Sequence, residues 1–128
     1  MILLVDSSLL IIERLKEILS EVLDVNLIHH ANSYTEANKV LEIVTPAVVL
    51  LDTYLPGNGS MALLQNIQEM NQGIKVMMLT NHVNIADETR YLLSGAHCII
   101  DKYHDFEKIP VVMQRVISEA LLQTKTIF

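Results

Sequence analysis

Three acids, a threonine and a lysine stand where apolar runs of this chain stop, and two of the acids, Asp6 and Asp52, carry the argument. Ile2–Val5 ends at Asp6 and Ser7, Ala47–Leu51 at Asp52, Val76–Leu79 at Thr80, and Cys98–Ile100 at Asp101 and Lys102. Two carboxylates brought together repel, so one protonates unless a cation intervenes. Mg2+ satisfies both, since it takes oxygen ligands and keeps several waters. Without a ligand, Lys102 can pair with Asp52; Thr80 and Lys102 together can hold an incoming oxyanion. A metal, a hydroxyl and an ammonium around a carboxylate are the parts needed to move a phosphoryl group onto it. Asp52 is then the nucleophile and an aspartyl phosphate the product. No general base is required, because a carboxylate already carries its charge.

For that chemistry the ends of the runs must meet at one place. The runs Ile2–Val5, Val25–Ile28, Ala47–Leu51, Val76–Leu79 and Cys98–Ile100 are short and mostly unalternating. That pattern predicts strands covered on both faces, hence a parallel sheet. Segments with helical spacing lie between them. Leu9–Leu23 carries Leu and Ile at i, i+3 and i+4. Ser33 and Glu36 form a capping box for a helix that Pro46 stops. Ser60–Asn71 and Asn84–Ser94 follow, and a last helix starts at Pro110 and runs to about Gln123. The order is βα five times, an α/β doubly wound sheet with right-handed crossovers. Ligands of such sheets bind beyond the carboxyl ends of the strands, where the polar residues collect.

The chain has 128 residues, 51% hydrophobic and 19% charged, the size of one domain able to bury a core without staples. We expect a single domain over 1–128, the tail Thr124–Phe128 being too short for another. A net charge of −6 and no basic run argue against a nucleic-acid surface. No apolar run approaches the roughly 20 residues needed to cross a bilayer, and MILLVDSSLL lacks the charged start of a signal peptide. The single cysteine, Cys98, excludes an internal disulfide and fits a reducing compartment. A cytoplasmic protein is expected. The five histidines do not pair on a helix as zinc ligands would; His29 and His30 are adjacent on a strand. Asp101 and Asp105 are expected to serve the loop and a helix start.

Four stretches together, VDSS at Val5–Ser8, LLDTYLPGNG at Leu50–Gly59, MLTNH at Met78–His82 and GAHCIIDK at Gly95–Lys102, resemble the receiver domains of two-component response regulators over essentially the whole chain. The resemblance implies a flavodoxin-like (βα)5 fold with a five-stranded sheet in the order 2-1-3-4-5. It implies that Asp52 is the phospho-acceptor, Thr80 the switch hydroxyl and Lys102 the lysine that contacts the phosphoryl group. Asp6 matches the first of the family's acidic pair, and the backbone carbonyl of Tyr54 is implied as a ligand of Mg2+. The donor would be a phosphohistidine on a sensor histidine kinase or a histidine phosphotransfer protein. An output domain or a second copy would dock on the fourth helix, fifth strand and fifth helix. Such a domain is a signalling module and no enzyme beyond gaining and losing its own phosphoryl group.

Three positions depart from the family pattern. Ser7 stands where the second acid is usual, so it reaches Mg2+ only through water and weakens the site. Tyr103 follows the lysine where proline in a cis bond is common; a cis bond before a non-proline costs about 2.5–4 kcal/mol. Ile99 replaces the usual Tyr or Phe, so switching must use the backbone of the Thr80–Ala86 loop or another side chain such as His82. These departures support an alternative, a receiver-like interaction module with weak or no phosphorylation. An aspartyl phosphatase is disfavoured because Tyr54 stands where it needs a second acid. Flavin binding is disfavoured because Asp6-Ser7-Ser8 lacks a phosphate-cradling loop.

Overall fold

The apolar runs become the strands β1 (Ile2–Val5), β2 (Ile28–Ala31), β3 (Val48–Asp52), β4 (Lys75–Thr80) and β5 (Cys98–Asp101) of a computed structural model, which describes residues 1–82 and 84–126. They alternate with α1 (Leu9–Leu19), α2 (Tyr34–Ile43), α3 (Gly59–Met70), α4 (Ile85–Leu93) and α5 (Ile109–Thr126). The sheet order is β2-β1-β3-β4-β5, with every neighbouring pair parallel. This is the flavodoxin-like order expected.

Alternation along the strands sorts side chains into two cores. Ile2, Leu4, Val48, Leu50, Met77, Leu79 and Ile100 pack with Ile12, Leu15 and Leu19 of α1 and Ile109, Met113 and Val116 of α5. Leu3, Val5, Val49, Leu51, Val76 and Met78 pack with Ala37 and Leu41 of α2, Leu63, Leu64 and Ile67 of α3, and Tyr91 of α4. So α1 and α5 cover one face, and α2 to α4 the other. Each fully buried Leu, Ile or Met contributes ~1.5–3 kcal/mol. Both sides of the central strands are apolar, which is why their sequence runs do not alternate.

Helix starts follow local chemistry. Ser8 accepts from the Ile11 amide and Ser33 from the Glu36 amide, each relieving an unpaired N–H of a first turn. The Asn84 side chain accepts from both Ala86 and Asp87. Gly95, with φ of +107°, lets the chain leave α4 in the left-handed region and turn into β5.

Some boundaries differ from expectation. The second strand is Ile28–Ala31, not Val25–Ile28, because Val25–Leu27 forms a 3-10 turn whose entry Asp24 caps at the Asn26 amide. In that turn Val25 and Leu27 lie half exposed, so their apolar character did not mark a buried strand. His29 and His30 do lie on β2, and both are exposed at this edge of the sheet. The first helix closes at Leu19 rather than Leu23, with Ser20 as its last cap. The last helix continues past Gln123 to Thr126. Of the tail Thr124–Phe128, Ile127 and Phe128 lie outside the described residues, as does Val83 of the Thr80–Ala86 loop.

Candidate functional site

The ends of β1, β3, β4 and β5 are pinned by ladder bonds that run one residue past the strands. The Asp6 amide donates to Ala31 O, Thr53 to Leu79 O and Lys102 to Thr80 O, at 3.2, 2.8 and 2.9 Å. These bonds hold the backbone of each polar residue as rigidly as the sheet itself. Asp52 is the last residue of β3, not the first beyond it, and continues the phase of Val48 and Leu50 toward the α1/α5 side.

Lys102 joins the two acids. Its Nζ lies 3.1 Å from Asp6 Oδ2 and 3.4 Å from Asp52 Oδ1. All three side chains are buried: Asp6 is 2% exposed, Asp52 4% and Lys102 6%. Neighbouring strands sit about 4.8 Å apart, so only a long stem from β5 reaches acids on β1 and β3. Asp6 Oδ1 is fixed by the Ser8 amide at 2.8 Å, and Asp52 Oδ1 by the Tyr54 amide at 3.2 Å. Burial pushes the Asp52 pKa above the usual carboxylate value, and the Asp6 charge adds to the rise. The Lys102 ammonium opposes it, followed by the Tyr54 N–H bond.

Thr80 stands apart from this cluster. It is in phase with Val76 and Met78, the α2–α4 side of the sheet, and its hydroxyl is engaged by its own loop. Oγ1 donates to His82 O at 3.1 Å and accepts from the His82 amide at 3.2 Å. Thr80 lines a cleft of about 240 Å³ with Thr53, Tyr54, His82, Tyr91 and Ile99. The structure therefore brings Asp6, Asp52 and Lys102 into contact and sets Thr80 beside them across the end of β4. Ser7 is exposed, and the Tyr54 side chain points to solvent.

The loop after Lys102 resolves the Tyr103 departure with no cis bond: the Lys102–Tyr103 peptide is trans. Asp101 Oδ1 accepts from the Tyr103 and His104 amides, both at 2.9 Å. Proline in place of Tyr103 would lack the first of these donors. Those two amide bonds, His104 first, hold the Asp101 carboxyl below the usual range. Asp101 thus ends β5 and ties the turn, the loop role expected of it. Asp105 heads the short 3-10 turn Phe106–Lys108 without a side-chain cap bond and pairs instead with Lys108 at 3.2 Å.

Two residues near the site escaped the sequence reading. Ser60, 2% exposed, donates to Asp52 O at 2.7 Å and accepts from the Leu55 amide at 3.0 Å. It closes the loop after the candidate nucleophile, and a hydroxyl at the first turn of α3 was its only signal. Tyr91, within the helix expected over Asn84–Ser94, donates its hydroxyl to Thr53 O at 3.2 Å. Its signal was a phenol on a buried helix face, where Tyr must find an acceptor.

Asp6, Asp52 and the Tyr54 backbone are oxygen donors suited to a hard divalent cation. Among the described residues no group of three or more His, Cys, Asp or Glu is placed to hold a metal. An ion here would rest on two carboxylates, a carbonyl and water, a set Mg2+ accepts when a phosphate completes it. Burial first and the Asp6 charge second raise the Asp52 pKa, and a cation between the two acids would oppose both. The donor set fits Mg2+, one acid short of the family pattern at Ser7.

The family model for the response regulator receiver domain matches residues 2–114. No curated protein matches the chain. Among solved structures, the receiver domain of NtrX from Brucella abortus is 26% identical with a TM-score of 0.80, covering 92% of this chain and 98% of its own. The longer NtrX chain in complex with ADP is 25% identical with a TM-score of 0.85; the match spans 98% of this chain but 28% of that one. The signal receiver domain of a Vibrio parahaemolyticus protein described as a Luxo repressor superposes with a TM-score of 0.88 at 20% identity, over 98% of this chain and 95% of its own.

Proposed function

The chain belongs to the response regulator receiver domains of two-component signalling, and on that premise we propose that Asp52 accepts a phosphoryl group and that doing so changes what the domain binds. The observation that carries this is the shared ammonium: Lys102 Nζ lies within 3.4 Å of both Asp6 and Asp52 at the carboxyl edge of the sheet. An Asp52 oxygen attacks the donor phosphorus. The new O–P bond forms as the N–P bond to the donor imidazole breaks, and its electron pair returns to the ring nitrogen. Lys102 turns from the carboxylates toward the phosphoryl oxygens. The Thr80 hydroxyl leaves His82 to donate to another of them. Asp6, Asp52, the Tyr54 carbonyl and a water at Ser7 would hold Mg2+, which when bound would supply positive charge beside the phosphoryl oxygens.

The donor is a sensor histidine kinase or a histidine phosphotransfer protein, and the domain occupies residues 1–128 as one unit. An output domain or a second copy docks across α4, β5 and α5, where Ile85 and Leu93 are 83% exposed and Val111 68%. No helix among the described residues is long and apolar enough to cross a membrane, which agrees with a cytoplasmic site of action.

The test is incubation with acetyl phosphate and Mg2+ followed by intact mass. A gain of one phosphoryl group in the wild type and in Ser7→Ala, but not in Asp52→Asn, supports the reading. A second reading, an interaction module that is phosphorylated poorly or not at all, draws on exposed Ser7 in place of an acid. It predicts no mass gain and no Mg2+ binding at millimolar concentration.

A further inference from the structure

Tyr91 touches neither acid, yet its position is unusual for a helix residue facing a core. It is 6% exposed and its ring packs in the α2–α4 core. Its hydroxyl reaches past the end of β4 to the carbonyl of Thr53, the residue directly after Asp52. The Thr53 amide is meanwhile tied to Leu79 O at 2.8 Å. The residue directly after the candidate phospho-acceptor is thus held through its amide by the sheet and through its carbonyl by α4.

Space surrounds this bond. On one side lies the cleft of about 240 Å³ lined by Thr80, His82 and Ile99. On the other lies a second of about 340 Å³ lined by Leu55, Met61 and Arg90. Thr53, Tyr54 and Tyr91 line both, so Tyr91 borders each of them. The Arg90 guanidinium sits 5.6 Å from the ring centroid on the same helix. Buried aromatic rings in close-packed cores have no such room; here a ring tethered by its hydroxyl borders two openings.

We propose that Tyr91 is a positioning residue that couples Asp52 to α4 through its hydroxyl. This rests on the phosphoryl-acceptor reading of Asp52. In the resting protein the bond to Thr53 O holds α4 against the β3–α3 loop. Phosphorylation draws that loop and Thr80 toward the new group. Thr53 O then leaves the phenol, the ring moves into the cleft beside Thr80, and α4 is released. The apolar positions Ile85, Leu92 and Leu93 of α4 are exposed, so a change in the seat of α4 is a change in the surface offered to a partner.

The test is amide hydrogen exchange of α4, residues 85–93, in wild type and Tyr91→Phe, with and without acetyl phosphate and Mg2+. Intact mass separates the phosphorylated molecules. Phe keeps the ring and its packing, so a purely structural role leaves the two proteins alike. Loss of one hydrogen bond raises α4 exchange about fivefold in the unphosphorylated variant. Phosphorylation then raises exchange in the wild type by a similar factor and adds less than twofold in Tyr91→Phe. A phosphorylated Tyr91→Phe that responds as the wild type does overturns the coupling and leaves the acceptor reading intact. Equal resting exchange in the two proteins also overturns it. If neither protein gains a phosphoryl group, the acceptor reading itself fails and the coupling falls with it.

Discussion

Replacing Lys102 by methionine keeps the stem and removes the charge that two buried acids share. Asp6 and Asp52 are 2% and 4% exposed, so neither can recover the lost ammonium contact from water. Removing one partner of a buried ion pair costs about 3–5 kcal/mol, and we expect that loss in urea denaturation at neutral pH. For a chain of this size it corresponds to a fall in Tm of roughly 10–20 °C. In an Asp52→Asn background only Asp6 is stranded, so the same replacement is expected to cost about half as much. The pH dependence has a defined sign. The folded Asp52 pKa is already raised above 3.8, and losing Lys102 raises it further. A group raised on folding contributes stability that is fully present below its unfolded pKa and is lost as pH climbs through the folded one. The penalty of Lys102→Met therefore shrinks toward pH 4 and grows toward pH 8. Equal losses in the wild-type and Asp52→Asn backgrounds would refute the shared-ammonium account, as would a loss that is flat with pH.

Three further outcomes follow from named contacts. Ser7→Asp, by restoring a third acid, is expected to tighten Mg2+ binding at least about tenfold, since a carboxylate ~4 Å from a divalent ion gains well over 1.4 kcal/mol even at an effective dielectric of 20; calorimetric titration measures it. Ser60→Ala strands the Leu55 amide and the Asp52 carbonyl, both bonded to one hydroxyl, and should cost about 1–3 kcal/mol in denaturant unfolding. The Cys98 thiol is pushed from 9.0 up to about 11 by burial, so disulfide-exchange labelling at pH 8 should run about a hundredfold slower than for a free thiol, and a rate within threefold of free cysteine contradicts its burial.

Much of this molecule was legible before any coordinates. Unalternating runs of Val, Ile and Leu announced a parallel sheet, and the Ser33–Glu36 capping box and Pro46 marked where one helix begins and ends. These signals are local, since a cap or a period of 3.6 is satisfied within a turn or two of the chain. The acids and the lysine at the run ends could be placed at one edge because parallel strands all end on the same side. Where local signals misled, a long-range term decided: Val25 and Leu27 are apolar yet lie in a turn, because pairing with β1 begins only at Ile28.

The order of apolar and polar segments determined by itself that an α/β sheet forms and that Asp6, Asp52, Thr80 and Lys102 end near one another. Only the tertiary structure decided how they divide. Strand phase sends Asp52 to one face and Thr80 to the other, so Lys102 binds the two acids while the Thr80 hydroxyl stays with its own loop. The reach of Tyr91 to Thr53 likewise depends on a partner 38 residues away along the chain. A side chain's type can be read from its own position, but the acceptor it meets is set by how distant elements pack.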